Sequence, residues 1–315
     1  MSSHTSQRAP FAMVAASTNI GLIHLVLDAV DALHRGVERF AEALERHLRT
    51  DVQVNLYASW TSKEGFGLHF DDHDVVVLQL EGAKRWKIHE PTRIDPLRID
   101  VEAPEPPHGE PVAEIVLRAG DMLYLPRGWW HAVAATEGRS LHLTCGLKPT
   151  TGADLLSWVT DQMRASAIVR ANLPHLASRE EQVARLVALL KEFTAALHDG
   201  VIEEFLRARG ALDPGRPMPS LPFVGGIPAD EYLHVRLTAS GAWYEVDGEG
   251  RVVMNAGGQQ WTFATPALPV VKRLTAGRTA SIGELAVASS LPVGQVAALV
   301  TELVSADVAA VSRRR

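Results

Sequence analysis

Between residues 51 and 149, short β-like runs follow one another with only a few turn residues between them. Residues 52–57 alternate apolar and polar side chains, and residues 75–80 are largely apolar, as in a strand that is buried on both faces. A turn at 81–82 predicts a returning strand at 84–89, and further strands are predicted at 113–117, 121–125, 132–134 and 140–145. Closely spaced strands with almost no helix indicate a β-barrel or a double-sheet sandwich.

Helical patterns lie on both sides of this β-rich region. In front of it, apolar residues recur on one helical face at positions 37, 40, 41, 44 and 48. Behind it, residues 151–209 are predicted to be helical, with a capping box formed by Ser178 and Glu181. A Pro-rich linker follows at 214–222, and the four strands and three helices predicted after it are similar to a winged helix.

The chain length of 315 residues suggests about two domains, at roughly 150 residues for each. The patterns refine this estimate to an α+β chain with three regions. Residues 1–150 are predicted to form the barrel with a helical lead-in, residues 151–213 a helical region, and residues 214–315 a winged-helix domain.

Composition narrows the possible functions. A net charge of −6 argues against nucleic-acid binding by the whole surface, and the predicted recognition helix at 292–305 contains no Lys or Arg. The single cysteine, Cys145, excludes an intrachain disulfide, so a metal site must draw on the 13 histidines and the acidic residues. Without a run of about 20 apolar residues or a secretory pattern, the chain is predicted to be cytoplasmic and not membrane-bound.

Two motifs indicate a metal site. The first is His69-x-Asp71, where an extended chain points both side chains the same way. The second is GDMLYLPRGWWH at 120–131, whose tight turn directs His131 into the barrel mouth. Two imidazoles and one carboxylate leave the opposite face of a metal open, which suits non-haem Fe(II). His73 continues the period of two and stays an alternative ligand, and the pattern does not choose Fe(II) over Mn(II) or Zn(II).

The sequence resembles the JmjC-type cupin-fold oxygenases, specifically their ribosomal-oxygenase branch. The likeness is carried by NLY at 55–57, GLHFD at 67–71, VVVLQLEG at 75–82, KRW at 84–86 and the His131 motif. It implies a double-stranded β-helix (jelly-roll) barrel, a helical region that mediates homodimerisation, and a C-terminal winged helix. It also implies that the chain hydroxylates side chains of ribosomal proteins with Fe(II), O2 and 2-oxoglutarate, with His69, Asp71 and His131 as the metal ligands.

The resemblance also implies residues for the cosubstrate and the substrate. Lys84 matches the basic residue that pairs with the distal carboxylate of 2-oxoglutarate, and a desolvated carboxylate does require a cation. Tyr57 matches a tyrosine whose hydroxyl helps to hold this carboxylate, and Asn55 matches a position on the substrate side. From strand alternation, His142 and Thr144 point inward together, so Thr144 is expected at the cosubstrate site, with core packing as the alternative.

Three other functions stay open at this point. A tailoring hydroxylase of a peptide or small natural product would use the same cofactors. A non-oxidative cupin usually carries His-x-His followed by Glu, where this chain has His69-x-Asp71. A winged-helix transcriptional regulator would need basic residues on its recognition helix. Family members usually carry several tens of residues more before the barrel, so early strands or a lid are expected to be missing.

Overall fold

The computed structural model describes residues 24–60, 65–101, 105–136, 138–216, 223 and 225–313. The chain divides into two compact units, Met1–Pro149 and Thr150–Arg315. The further separation of the second unit into a helical region and a winged-helix domain stays a prediction. Most of the predicted linker, residues 217–222, lies outside the described residues.

The described part of the first unit contains eight strands. They are β1 (His24–Leu27), β2 (Val52–Ser59), β3 (Asp74–Glu81), β4 (Ala83–His89), β5 (Ala113–Arg118), β6 (Met122–Leu125), β7 (Trp130–Ala135) and β8 (Ser140–Leu147). Five of them form an antiparallel sheet in the order β1-β2-β8-β3-β6, and the other three form a second one in the order β5-β4-β7. The prediction of a double-sheet cupin domain is confirmed, and β1 is a strand that the sequence did not predict.

The larger sheet is buried on both of its faces. One face packs against α1 (Arg35–Leu48), through the apolar side chains Val37, Phe40, Ala41 and Leu44. On the other face, Val75 and Val77 of β3 pack with Trp86 and Ile88 of β4 in the second sheet. Burial on both faces explains why β3 has a nearly continuous apolar sequence rather than an alternating one.

Two carboxylates complete the edge of β2. Strand β1 pairs only with the second half of β2, at Leu56–Ser59. In the first half, the Val52 N–H donates to Glu45 Oε1 at 3.2 Å and the Val54 N–H donates to Asp31 Oδ1 at 2.8 Å. Both carboxylates are buried, and they satisfy backbone donors that a neighbouring strand would otherwise pair.

The second unit begins with helices and continues with strands and helices. Its helical part contains α2 (Gly152–Met163), α3 (Ala167–Arg170), α4 (Arg179–Ala196) and α5 (Val201–Leu212). Its remaining elements are β9 (His234–Leu237), β10 (Trp243–Val246), β11 (Val252–Ala256), β12 (Gln259–Phe263), α6 (Leu268–Thr275), β13 (Ala280–Ser281), α7 (Ile282–Ser289), α8 (Val293–Ser305) and β14 (Ala309–Ser312). The strands form two sheets, β10-β11-β12 and β13-β9-β14, and capping boxes begin α2, α4 and α7.

Helix α4 leaves apolar side chains uncovered. Val183, Leu186, Val187 and Leu190 are between 48% and 63% exposed, and no residue of α4 is buried. Apolar residues on one face of a helix normally pack against a partner, which makes this face a candidate interaction surface.

The helices were also compared with the requirements of a membrane span. Within the described ranges, no single helix is long and apolar enough to cross a membrane. The bent pair α7 and α8 meets the requirement only when the two helices are taken together, by length and composition.

Candidate active site

The structure brings His69, Asp71 and His131 together. One ligand atom from each residue lies within 4.8 Å of the other two, and the His131 Nε2 is 3.7 Å from Asp71 Oδ2. His69 and Asp71 come from the chain before β3, whereas His131 comes from β7 in the smaller sheet. Two imidazole nitrogens and a carboxylate oxygen at this spacing fit a divalent transition metal of the non-haem iron type.

Both histidines are oriented by the backbone in the same way. The Nδ1 of His69 lies 3.0 Å from the Gly67 carbonyl oxygen, and the Nδ1 of His131 lies 3.1 Å from the Trp129 carbonyl oxygen. Because a carbonyl oxygen only accepts, each Nδ1 carries the proton and each Nε2 keeps its lone pair for a metal. Burial, and after it the charge of His69, lowers the pKa of His131, which favours the neutral ring that a metal requires.

The turn that carries His131 is fastened to the segment that carries the other two ligands. The Gly128 N–H donates to the Asp71 carbonyl at 2.9 Å, and the Arg127 N–H donates to Asp74 Oδ1 at 2.9 Å. The other carboxylate oxygen of Asp74 accepts from the Tyr124 hydroxyl at 3.1 Å. Asp74 therefore positions the turn without being one of the ligands, and sequence reasoning had not singled it out.

Gly128 fits this turn because of its conformation and its surroundings. Its φ is +83°, which disfavours any side chain. A Cβ at this position would also lie 2.8 Å from Pro96 Cδ and 2.9 Å from the Arg93 carbonyl oxygen. The turn thus needs glycine for close packing as well as for its backbone angle.

A cavity of about 290 Å³ lies beside the three ligands. Its apolar walls include Leu25 and Val26 of β1, together with Trp86 and Val133. The ring of Trp86 stacks on His131 with 5.6 Å between the ring centroids. The sequence did not predict β1 as part of the site, because β1 forms through pairing with a distant strand.

Lys84 supplies a cation to this cavity. Its side chain is buried, and burial lowers its pKa to about 8. Within the part of the chain that the structure describes, no carboxylate forms an ion pair with its ammonium group. A buried cation that faces a cavity favours an anionic ligand, because pairing offsets the cost of desolvation.

Tyr57, His142 and Thr144 line the same cavity. Tyr57 on β2 lies directly opposite His142 on β8, and their rings stack at 4.8 Å. Burial raises the pKa of Tyr57, so its hydroxyl stays protonated and able to donate. Tyr57, Lys84 and Thr144, which the sequence analysis assigned to the cosubstrate, thus lie on the wall of one cavity, and their roles stay predictions.

Asn55 lies outside the set of residues that line the cavity. Its Oδ1 accepts from the Ala29 N–H at 3.0 Å, and its side chain bonds to the Tyr57 hydroxyl. It therefore connects the turn after β1 with Tyr57, and its substrate-side role stays a prediction. The alternative ligand His73 is not in the three-residue cluster, and its Nδ1 lies 3.0 Å from Asp72 Oδ1.

The two tryptophans before His131 differ in their environment. Trp130 is buried, packs edge-on against Phe70 and donates from Nε1 to Thr92 Oγ1 at 3.0 Å. Trp129 is partly buried and packs against the core between the two sheets. Both side chains therefore support the turn through packing.

Comparison with known proteins finds a likeness that is centred on the first unit. Residues 29–155 match the JmjC domain. Over 94 residues, the chain is 42% identical to the bifunctional lysine-specific demethylase and histidyl-hydroxylase NO66 of Drosophila persimilis. The aligned region covers 30% of this chain and 14% of that protein. Over 169 residues, it is 32% identical to ribosomal oxygenase 2 of Bos taurus. This aligned region covers 51% of this chain and 36% of that protein. The chain thus matches about a third or less of these relatives' length.

The likeness to solved structures extends further along the chain. The structure of YcfD, a ribosomal oxygenase from Escherichia coli in complex with cobalt and 2-oxoglutarate, has a TM-score of 0.59 and 19% sequence identity. This similarity covers 92% of this chain and 78% of that one. At such an identity, the likeness shows that the two chains share a fold.

Proposed function

We propose that this protein is an Fe(II)- and 2-oxoglutarate-dependent oxygenase that hydroxylates a side chain of a ribosomal protein, because residues 29–155 match the JmjC domain and part of the chain is similar to ribosomal oxygenase 2. One observation carries the proposal. Two histidines with free Nε2 lone pairs and one carboxylate converge beside a cavity that contains a buried lysine cation. Metal ligands and a carboxylate-binding cation in one pocket are what this cosubstrate requires.

Each residue of the site has a proposed part in this chemistry. His69, Asp71 and His131 would hold Fe(II), and Lys84 would pair with the distal carboxylate of 2-oxoglutarate. Together with O2, the bound metal and cosubstrate supply the oxidising power for C–H hydroxylation. The hydroxyls of Tyr57 and Thr144 would donate to the same carboxylate, and the apolar wall of β1 and Trp86 would keep water out of the cavity.

The substrate class rests on the named relatives and on the outer part of the cavity. Lysine-specific demethylase, histidyl-hydroxylase and ribosomal oxygenase are the activities in the names of the matched proteins, and the last two are hydroxylations of the proposed kind. The ring of Phe66 is 63% exposed at the cavity and meets His69 edge-on. An exposed aromatic ring suits a protruding peptide side chain that carries a ring or a positive charge.

We also propose that the protein is a homodimer and that its C-terminal part is a winged helix. The dimer is supported by the uncovered apolar face of α4. The winged helix is supported by the helices α6, α7 and α8 beside the sheet β13-β9-β14. Since α8 contains no Lys or Arg, this module is proposed to contact protein rather than nucleic acid.

The proposed activity is tested by succinate release from 2-oxoglutarate with Fe(II), with and without ribosomal proteins. Substrate-dependent release, together with a protein mass increase of one oxygen atom, is expected. The variant Asp71→Ala should abolish both, whereas Asp72→Ala, which changes the neighbouring acid outside the cluster, should retain them. Turnover that survives Asp71→Ala would exclude the proposed metal site. Turnover with a small peptide or natural product alone would instead favour a tailoring hydroxylase.

A further inference from the structure

The wall of the cavity contains a polar side chain that the proposed function has not used. His142 on β8 is only 4% exposed and lines the cavity beside Lys84, Tyr57 and Thr144. Its ring is held by aromatic contacts, face to face with Tyr57 and edge-on with Trp86 at 6.0 Å. Stacking fixes the plane of the ring but satisfies neither of its nitrogens.

Among the residues that the structure describes, none forms a hydrogen bond with the His142 side chain. Its Nδ1 is buried without a hydrogen-bond partner among the described residues. Gln79, its neighbour across β3, directs its amide NH2 to Ser140 Oγ at 2.8 Å and to the Glu81 carbonyl. An unsatisfied buried polar group is costly, and in a native structure it calls for a role or a partner that the chain itself does not supply.

The electrostatic surroundings of His142 indicate what kind of partner it takes. Burial, and after it the charge of Lys84, lowers the pKa of His142 to about 2, so the ring is neutral at working pH. A neutral imidazole carries one N–H donor and one acceptor. Lys84 draws the anionic part of a ligand to this end of the cavity, and the oxygens of a carboxylate can only accept.

We propose that His142 is a cosubstrate-binding residue that donates a ring N–H hydrogen bond to the carboxylate paired with Lys84. This inference rests on the proposed function, because it assumes that 2-oxoglutarate occupies the cavity. The carboxylate end is then recognised by one cation and by neutral donors. A single carboxylate fits this set of groups better than a doubly charged phosphate does.

The test is the affinity of 2-oxoglutarate for protein loaded with Mn(II), measured by isothermal titration calorimetry without turnover. The variant His142→Phe keeps an aromatic ring to stack on Tyr57 but removes both nitrogens. The loss of one hydrogen bond to a charged group should raise the dissociation constant roughly tenfold to a hundredfold. The affinity for Mn(II) itself should stay the same, which a general loss of structure would not allow.

Two other variants sharpen this comparison. His142→Gln restores a hydrogen-bond donor and should regain much of the lost affinity for 2-oxoglutarate. His142→Leu also removes both nitrogens and serves as a second test in case the phenylalanine disturbs folding. His234 serves as the matched control, because its Nδ1 is also buried without a partner but it lies on β9 in the other unit. His234→Phe should bind 2-oxoglutarate as tightly as the parent protein.

The outcomes separate this inference from the proposed function. If the parent protein binds 2-oxoglutarate and both His142→Phe and His142→Leu bind it equally well, the role of His142 is wrong and the proposed function stands. If the parent protein binds no 2-oxoglutarate, both are wrong. Tight binding of a phosphate analogue that depends on His142 would also overturn the proposed selectivity for one carboxylate.

Discussion

His69 and His131, two of the three residues in the metal-binding cluster, are also paired through their backbones. The His69 N–H donates to the His131 carbonyl at 3.1 Å, and the His131 N–H donates to the His69 carbonyl at 2.7 Å. This isolated bridge is the pairing of two antiparallel strand residues, with 4.3 Å between the ring centroids. The spacing of the two imidazoles is therefore set by backbone hydrogen bonds before any metal binds.

The supporting role of Asp74 predicts a loss of metal affinity when its carboxylate is removed. In Asp74→Ala, the Arg127 amide loses its acceptor and the turn before His131 is less firmly held. Outer residues that orient metal ligands typically contribute about 10- to 100-fold to metal affinity. Calorimetric titration with Mn(II) should show a decrease of this size.

Tyr124→Phe provides the matched control for Asp74. It removes only the hydrogen bond from an exposed hydroxyl to the same carboxylate. Mn(II) affinity should then change less than in Asp74→Ala. Equal effects of the two substitutions would assign the anchoring of the turn to the tyrosine instead.

The tight packing at Gly128 predicts a further difference between two glycines. Gly128→Ala would place a methyl group against Pro96 and the Arg93 carbonyl, at a φ of +83°. Gly120→Ala has a similar φ of +96° but open space around the new Cβ. Both should lose about 1–2 kcal/mol of unfolding free energy from the backbone conformation. Gly128→Ala should lose a further ~1–3 kcal/mol from overpacking.

Urea unfolding of the two glycine variants measures this difference directly. Mn(II) titration should then show weaker binding only in Gly128→Ala, because its turn carries His131. Equal stabilities of the two variants would mean that the 93–96 segment moves away at little cost.

The lowered pKa of Lys84 predicts how cosubstrate affinity depends on pH. With a pKa of about 8 in the unliganded protein, Lys84 is charged below pH 8 and loses its proton above it. If only the charged form binds, the affinity for 2-oxoglutarate should fall about tenfold per pH unit above pH 8. Binding there should take up a proton, which calorimetry in buffers of different ionisation enthalpy detects.

The lowered pKa of Lys84 makes folding stability rise with pH, whereas cosubstrate affinity falls. Between about pH 8 and the ordinary lysine value near 10.4, the unfolded chain binds more protons than the folded one, so the contribution of Lys84 to stability rises with pH. Lys84→Met should abolish both pH effects. Lys87 lies on the opposite face of β4, so Lys87→Met should retain the pH dependence of both cosubstrate affinity and stability. If Lys84→Met also retained it, Lys84 would not be the group that titrates near pH 8.

The uncovered face of α4 predicts a change in oligomeric state. Replacing Leu186 and Leu190 by Glu introduces two charges on the exposed apolar face and should leave the fold of the isolated chain unchanged. If this face joins two copies, sedimentation velocity should show a dimer for the parent protein and a monomer for the double variant. The variant Lys191→Ala, which removes a charged side chain elsewhere on the same helix, should stay dimeric. A monomeric parent protein would leave α4 free for a different partner.

Local sequence signals were sufficient for much of the barrel and for the ligands. β3 and β4 lie within a residue or two of their predicted bounds, because a hydrophobic run and a Glu-Gly turn are local features. The His-x-Asp motif and the turn before His131 likewise determine the direction of the ligands over a few residues. Such features can be read without knowledge of the tertiary structure.

Other features depend on contacts between distant parts of the chain. β1 becomes a strand through its pairing with β2, about 30 residues later, and forms the cavity wall only for that reason. β14 completes a sheet with β9 although some 70 residues separate the two. The stack of Tyr57 on His142 follows from the register of β2 against β8, which no short sequence window contains.

The two carboxylates beside Val52 and Val54 have a consequence for encounters with other molecules. An open strand edge is a template on which a strand from another chain can add. In the first half of β2, the amides of Val52 and Val54 are already occupied by Glu45 and Asp31, so an incoming strand would find no free donor at these two positions. This half of the β2 edge is therefore protected against edge-to-edge pairing with another chain when the protein is concentrated.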